Sequence, residues 1–414
     1  MAWACYQLDR LCKSQNRRSF PPVSAKDSPL APSPLNIRPV ASGADRKAFV
    51  DLPFRLYADN PNWVPPLKMD VLELINEKKN PWFGHGEAQL FLAERDGTVV
   101  GRISAHIDHL ALAQPPEQGF GPGVGFWGFF EAEDEETGKA LLARAEEWLR
   151  AKGMARAIGP VSFCMWDETG LLVDGFGEPP VVMMGYNARD YAAWIESAAY
   201  AQVQDMYTYA CPVVDGFPEI VNRVVAMGEK NDRIRIRRVN KSRFDEEVQL
   251  VLDILNDAWS DNWGFVPFTD AEKAYAGKKL KPLVFEDLIR IAEVDGEPVA
   301  FMMVVPNINE KLINFGGSLF PFNIVKLLWW LRAPKARIMR VPLMGVRKKL
   351  QASRMASQLA MMLIEFIRRD GVTKFGAQQG DFGWVLASNG PMRSVGEAVG
   401  GKVDKIYRLY ERVI

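Results

Sequence analysis

One five-residue string occurs twice in this chain: Ala93-Glu94-x-Asp96-Gly97 and Ala292-Glu293-x-Asp295-Gly296, about 200 residues apart. An Asp-Gly step between apolar runs marks a tight β-hairpin. Two further anchors keep the order and offset. Trp148-Leu149-Arg150…Gly153 pairs with Phe366-Ile367-Arg368…Gly371, and Asn187…Glu196…Asp205-x-Tyr207 with Asn389…Glu397…Lys405-x-Tyr407. Repetition on this scale means one structural unit used twice, which confines the chain to two copies of one fold.

The predicted elements repeat in the same order. In the first half, a strand (35–40) is followed by a helix (46–56), a hairpin (91–107) and a strand (125–133). Then come a helix (135–153), a strand (155–161), a helix (187–200) and a closing strand (202–210). In the second half the series is a strand (233–239), a helix (246–259), a hairpin (288–306) and a strand (336–346). A helix (355–371), a strand (374–379), a short helix (390–401) and a closing strand (402–411) complete it. The 135–153 helix carries Leu141, Leu142, Ala145, Trp148 and Leu149 on one stripe and stops at Gly153. The fold class is therefore α/β (α+β): two tandem domains, each a mixed, mostly antiparallel twisted sheet flanked by helices. The expected boundaries are 35–213, a linker at 214–232, and 233–414. Residues 1–34 contain the Pro/Ser-rich stretch PPVSAKDSPLAPSPL and are expected to form a flexible tail. A length of 414 residues suits two such domains.

Composition narrows the function. Lys+Arg and Asp+Glu number 51 each, so nothing in the total charge favours a nucleic-acid backbone as partner. Four cysteines without a CxxC pair, and three histidines, supply neither a disulfide framework nor a metal centre. A reducing cytoplasm is the expected location. No apolar run reaches the roughly 20 residues of a membrane span, and the first 20 residues lack a signal-peptide core.

This element order resembles that of the GNAT superfamily of acyl-CoA-dependent N-acyltransferases, over roughly residues 35–414. The strings FLAERDGTVVGRI (91–103), WGFFE (127–131), GPVSFCMWDETGLLVDGF (159–176), AWSDNWGFVP (258–267) and WVLASN (384–389) resemble a bacterial family of double-GNAT proteins. Within that family the chain is similar to the ceramide synthases of bacterial sphingolipid synthesis, which N-acylate a sphingoid base. The resemblance implies an acyl-CoA or acyl carrier protein thioester as co-substrate, no permanently bound cofactor, and a splayed strand pair that receives the pantetheine arm. It also implies a loop of the form Gln/Arg-x-x-Gly-x-Gly/Ala that presents N–H groups to the pyrophosphate at a helix N-terminus.

In the second half that loop reads MGVRKKLQASRMASQL (344–359). Met344, Gly345, Val346, Arg347, Lys348, Lys349, Gln351, Arg354 and Ala356 are the candidate donor-binding residues. Arg354 stands where the family pattern has Gly, which weakens the backbone cradle. Four basic side chains would instead pair with phosphate; the alternative is a solvated basic turn. The matching first-half stretch, EAEDEETGKALL (131–142), carries five acidic residues before Gly138 and would repel a pyrophosphate. The first copy is thus expected to shape the acceptor site and not to bind nucleotide.

N-acylation must deprotonate an amine, stabilise an oxyanion and protonate a thiolate. No Cys–His or Ser–His pair suggests itself, so direct attack is the simpler course. Asp167 and Glu168, beside apolar Phe163, Met165 and Trp166, are the candidate bases; the competing assignment is a turn carboxylate. Asn389 is a candidate cofactor contact or a helix cap. Ala387 stands where the family form has Glu. Tyr410, or Tyr407 on the same strand, is a candidate thiolate acid or a packing residue. Trp166, Asn262 and Trp263 are candidate acceptor contacts. The segment FPFNIVKLLWWLRAPKAR (320–337) sets Trp329 and Trp330 among Lys326, Arg332, Lys335 and Arg337. That pairing suits a membrane interface, and hence an amphiphilic substrate and a peripheral position at the inner membrane face; a plain core helix is the alternative. The two other function classes are aminoacyl-tRNA-dependent transfer and a non-catalytic lipid or nucleotide binder on the same scaffold.

Overall fold

Both Asp-Gly steps turn as their sequence demands. Asp96, Gly97, Asp295 and Gly296 have φ of 52°, 73°, 52° and 82°, the pair of left-handed residues that a tight hairpin needs. The first turn joins β2 (Gly86–Arg95) to β3 (Thr98–Asp108); the second joins β9 (Ile289–Val294) to β10 (Glu297–Pro306). The computed structural model describes residues 33–414. All but the last two residues of the expected tail, 1–34, lie outside that range, as do Cys5 and Cys12.

The remaining strands are β1 (Asn36–Pro39), β4 (Val124–Ala132), β5 (Arg156–Gly159), β6 (Leu171–Asp174) and β7 (Ala201–Pro212) in the first half. The second half adds β8 (Ile234–Arg238), β11 (Ile338–Val346), β12 (Gln379–Leu386) and β13 (Lys402–Val413). They form one 13-stranded sheet ordered β1-β2-β3-β4-β5-β13-β7-β12-β11-β10-β9-β8, with β6 also on β13. The order reads as two like halves meeting at the antiparallel β13–β7 pair, which runs from Lys402↔Ala210 to Glu411↔Ala201. The closing strands are exchanged. β7 ends the first half in sequence but pairs with β12, while β13 ends the second half and pairs with β5 and β6. Strand alternation specifies which face a residue occupies, not which neighbour it meets, so this exchange was invisible in the sequence.

Three local readings differ. The stretch 214–232 is not only a connection: Glu219–Glu229 is a helix with Val221 and Val225 buried, and Glu229 pairs with Arg369 at 2.9 Å. Residues 374–379 are not a strand; helical turns continue through Gly371–Phe375 and β12 starts at Gln379. Leu171–Asp174 is a strand that the sequence pattern did not reveal.

Each half lays a long helix on the sheet. Leu141, Leu142, Ala145 and Leu149 of the Glu135–Ala151 helix are buried, as are Leu359, Leu363 and Ile367 of the Arg354–Asp370 helix. Burying each large apolar side chain contributes about 1.5–3 kcal/mol. These helices matter because each starts from a strand pair that splays apart. Parallel β4–β5 pairing ends at Phe126↔Ile158, although β4 runs on to Ala132. Parallel β11–β12 pairing ends at Val341↔Phe382, although β11 runs on to Val346. Each half therefore holds a V-shaped opening at the sheet centre.

Candidate active site

The second-half opening leads into a cleft of about 600 Å³. One wall is second-half: Met303, Leu343 and Trp384 beside the open V, with Trp259 and Phe268 from the segment before it. The facing wall is first-half: the 164–168 loop, Pro180–Tyr186 and the 63–74 segment. Most of this lining is apolar.

The free edge of β11 is well defined. Met344 and Val346 turn their carbonyls away from β10, where they accept from Trp259 Nε1 (2.9 Å) and Gln351 Nε2 (2.8 Å). A strand residue's N–H lies on the same edge as its C=O, so the Met344 and Val346 amides face the V. Pro342, next along that edge, has no N–H to offer. Met344 and Val346 therefore offer amides on the open edge, whereas Gly345 between them turns its own toward β10.

The loop beyond behaves differently. Gln351 also donates to Ala258 O at 2.9 Å, so it ties down backbone and is not free for phosphate. Lys348 pairs with Asp261 at 2.6 Å, Lys349 with Glu297 at 2.5 Å, and Arg347 Nε donates to Pro298 O at 3.1 Å. Arg354 is exposed and has no ion-pair partner among the described residues. It opens the long helix; Ser353, the N-cap, makes no side-chain cap hydrogen bond, and Ala356 N–H bonds weakly to Ser353 O at 3.2 Å. Of the four cations expected at this mouth, one is uncommitted.

The 162–168 loop delivers the carboxylates. Ser162 N–H donates to Glu168 O (2.8 Å), and Val161 bridges Thr169, which closes the loop. Gly128 makes room for it: a Cβ there would lie 1.9 Å from Val161 O. Asp167 accepts from the Cys164 thiol at 3.1 Å. Burial raises the Asp167 carboxyl to about 7, against the pull of that hydrogen bond. Burial and Asp167 push the Cys164 thiol well up, so it is no thiolate nucleophile. Glu168 is open to the cleft but walled in by protein, and its exposed surface is cleft surface. Burial raises its pKa, with Arg102 opposing. Its carboxylate lies against Gly185, where a Cβ would come within 2.1 Å of Oε1; Gly185 O in turn accepts from Tyr407 OH at 3.0 Å.

Residues that the sequence reading did not single out complete the floor. Glu131 on β4 accepts from Tyr57 OH (2.6 Å) and Tyr191 OH (2.9 Å), with Arg102 at 3.7 Å. Burial lifts Glu131 to about 7, with Arg102 and the tyrosines pulling it down. Arg102 therefore sits between Glu131 and Glu168. A charged residue inside the run VVGRISAHI was the available signal. Further out, His85 from the first half lies 3.0 Å from Asp108 and 3.1 Å from Glu272 of the second. Burial would lower its pKa, but the two carboxylates raise it to about 9.

Tyr410, Asn389, Asn262 and Trp263 fall outside the cleft. Tyr410 is fully buried in the first-half core and its hydroxyl donates to Glu196 at 3.1 Å. Asn389 caps the Gly390–Ala398 helix, accepting from Met392 N–H at 3.1 Å. Asn262 and Trp263 line a small adjoining void, and Trp263 packs on Phe120. Trp166 reaches both spaces; it stacks on Phe268 at 4.3 Å and donates to Val266 O at 3.0 Å.

No family model matches the sequence. Two curated relatives do. The chain is 41% identical over 381 residues to a protein named bacterial ceramide synthase from Caulobacter vibrioides (strain NA1000 / CB15N), covering 92% of this chain and 98% of that one. It is 39% identical over 380 residues to protein YghO of Escherichia coli (strain K12), covering 91% and 95%. Among solved structures, a tandem GNAT protein from the clavulanic acid biosynthesis pathway superposes with a TM-score of 0.52 at 11% identity, over 92% of this chain and 98% of that one. A glucosamine N-acetyltransferase region of a fungal multi-domain β-N-acetylglucosaminidase superposes with a TM-score of 0.54 at 12% identity, over 92% of this chain and 38% of that one.

Proposed function

The chain belongs to the bacterial ceramide synthase family, on a tandem GNAT fold, and is an N-acyltransferase; we propose that it moves a fatty acyl group from a thioester to the amine of a sphingoid long-chain base. One observation carries the reading. Glu168 faces a largely apolar cleft that is also lined by Pro342 and Leu343 of β11 and by Gly383 and Trp384 of β12, where the second-half strand pair parts. A long-chain amine needs both a carboxylate for its ammonium and apolar walls for its chain.

The donor is acyl-CoA or an acyl carrier protein thioester. Its pantetheine arm would pair with the Met344 and Val346 amides, and its phosphates would meet Arg354 and the exposed N-terminus of the Arg354–Asp370 helix. The ammonium of the acceptor gives a proton to Glu168, and the freed amine attacks the thioester carbonyl. The C–N bond forms, the C–S bond breaks, and the proton still on nitrogen passes to the leaving thiolate. Glu168 then returns its proton to water. The raised Glu168 pKa matches a base that must release what it takes. The first-half V does not take part as a donor groove, because the Tyr191 hydroxyl occupies its edge: it accepts from the Ala132 N–H at 3.0 Å and lies 3.1 Å from the Ala132 C=O. Contact with a membrane surface through 320–337 belongs to the same reading.

The test combines purified protein, a long-chain acyl-CoA or acyl carrier protein, and a sphingoid base, with mass spectrometry of the amide product. Ceramide should form, and Glu168→Gln should lower kcat by about 10²- to 10³-fold with the fold intact. Full activity in that variant would remove Glu168 from the mechanism; acylation of a different amine class alone would remove the sphingoid acceptor.

A further inference from the structure

The 320–337 segment splits cleanly into an inward and an outward side. Asn323–Arg332 is a helix. Leu327 and Trp330 are buried, and Trp330 Nε1 donates to Lys335 O at 3.0 Å. Phe322, Val325, Leu328 and Trp329 follow i, i+3, i+6, i+7 spacing on the other side, and Phe322 and Trp329 are 74% and 76% exposed. Phe320, just before the helix, is 67% exposed. A soluble surface seldom shows this many large apolar side chains side by side without a partner.

Charge identifies the partner. From Lys311 to Arg337 there is no Asp or Glu, whereas five Lys and Arg occur, in a chain whose total charge is zero. Lys326, Arg332, Lys335 and Arg337 are exposed around the apolar face. Rings at headgroup depth flanked by cations are what an anionic bilayer surface accepts. A second copy of this chain would bring the same positive charge to meet itself.

The patch also adjoins the cleft. Leu312, eight residues before Phe320, lines the cleft wall. The connecting chain is pinned to the opposite rim: Lys68 N–H donates to Gly317 O at 3.0 Å, and a Cβ on Gly317 would lie 2.3 Å from the Phe54 ring and 2.8 Å from Pro66 O. Pro66 and Leu67 line the cleft too.

We propose that Phe320–Arg337 seats the protein on an anionic phospholipid surface with the cleft rim against it, so that the amphiphilic amine passes from the bilayer into the cleft without crossing water. The docking surface stands on its own observations; the identity of the passenger rests on the acyl-transfer reading above.

The experiment sediments the full chain with vesicles of mixed phosphatidylglycerol and phosphatidylcholine, and with phosphatidylcholine alone. Wild type should bind the anionic vesicles. Phe322→Glu with Trp329→Glu should reduce that partitioning at least about tenfold. Lys326→Ala and Arg332→Ala, which leave the apolar face intact, should each reduce it about fivefold and weaken its salt dependence. A parallel assay measures acyl transfer to a water-soluble short-chain amine and to a long-chain amine held in vesicles; the glutamate variant should keep the first and lose the second. Wild type that ignores anionic vesicles overturns the proposal, as does a glutamate variant that partitions normally. A dimer of wild type that the glutamate variant abolishes, without vesicle binding, would assign the face to a second copy. If vesicle binding holds while no amine is acylated by wild type, the docking stands and the acyl-transfer reading falls.

Discussion

The two copies solve the same local geometry in opposite ways. Both splay a parallel strand pair and start a 17-residue helix beside it. In the first copy the helix N-terminus is already saturated. Asp134 accepts from Thr137 N–H at 2.8 Å, Glu135 and Glu136 follow in the first turn, and Arg95 holds Asp134 and Glu136 at 2.7 and 2.8 Å. The V beside it is filled by Tyr191, which also serves Glu131. In the second copy the Ser353 hydroxyl donates back to Leu350 O at 2.6 Å and caps none of the helix N–H groups, Arg354 points no charge at a protein partner among the described residues, and the V opens into the cleft. A helix dipole and its free amides attract an anion only where nothing internal has taken them. Under the proposed reading, duplication leaves one copy free to hold a donor while the other becomes a strut that aims carboxylates at the acceptor.

The strongest way to break this contrast is to remove the charge that ties the strut together. Arg102→Met leaves Glu131 and Glu168 facing each other without the intervening cation. Breaking one side of a buried pair costs about 3–5 kcal/mol, which denaturant titration would read. The deficit should depend on pH. Glu131 has a raised folded pKa, so the folded state holds an extra proton between the ordinary carboxylate range and about 7, and stability falls as pH climbs through that window. Without Arg102 the window extends upward, and the variant should be worst in alkali and least affected near pH 6. Because Arg102 also lowers Glu168, the acidic limb of the kcat profile should move to higher pH. A variant with wild-type stability and an unmoved limb would mean the first copy carries no electrostatic role.

A smaller effect separates the two helix mouths directly. Arg354→Ala should raise the KM for acyl-CoA about tenfold, one charge-assisted phosphate contact's worth, with little change in kcat. Arg95→Ala, at the first mouth, should leave KM where it is. Equal effects, or the reverse, would put the donor in the first copy.

The contrast was half legible from sequence. The acidic EAEDEETGK against the basic RKKLQASR told the mouths apart by sign alone, and the Asp-Gly turns fixed the repeat. Asp167 and Glu168 stood out because carboxylates among aromatics are unusual. What sequence could not supply was pairing at a distance. Lys348 and Lys349 look like free phosphate ligands until Asp261 and Glu297 are seen beside them. Gln351 fits the family loop yet spends its amide on Ala258 and Val346. Tyr410 alternates with Leu409 as a site residue would, but the strand exchange carries it into the first-half core. Arg102, Glu131 and the His85–Glu272 contact join segments 29 to 187 residues apart, and each depends on the register of the whole sheet.

The mildest test concerns the cap itself. Asp134→Ala removes the Thr137 hydrogen bond and one partner of Arg95, and should cost about 1 kcal/mol of stability. The loss should appear in a thermal melt as a shift of about one degree. If the carboxylate excludes phosphate by occupying the helix N-terminus, its removal leaves Glu135 and Glu136 still repelling, so CoA should gain no second site by calorimetry. Replacing all three acids with Ser and Gln would then be the change that opens the first mouth; a second CoA bound after the single change would mean that the cap alone, and not the local charge or the Tyr191 plug, keeps the first copy closed.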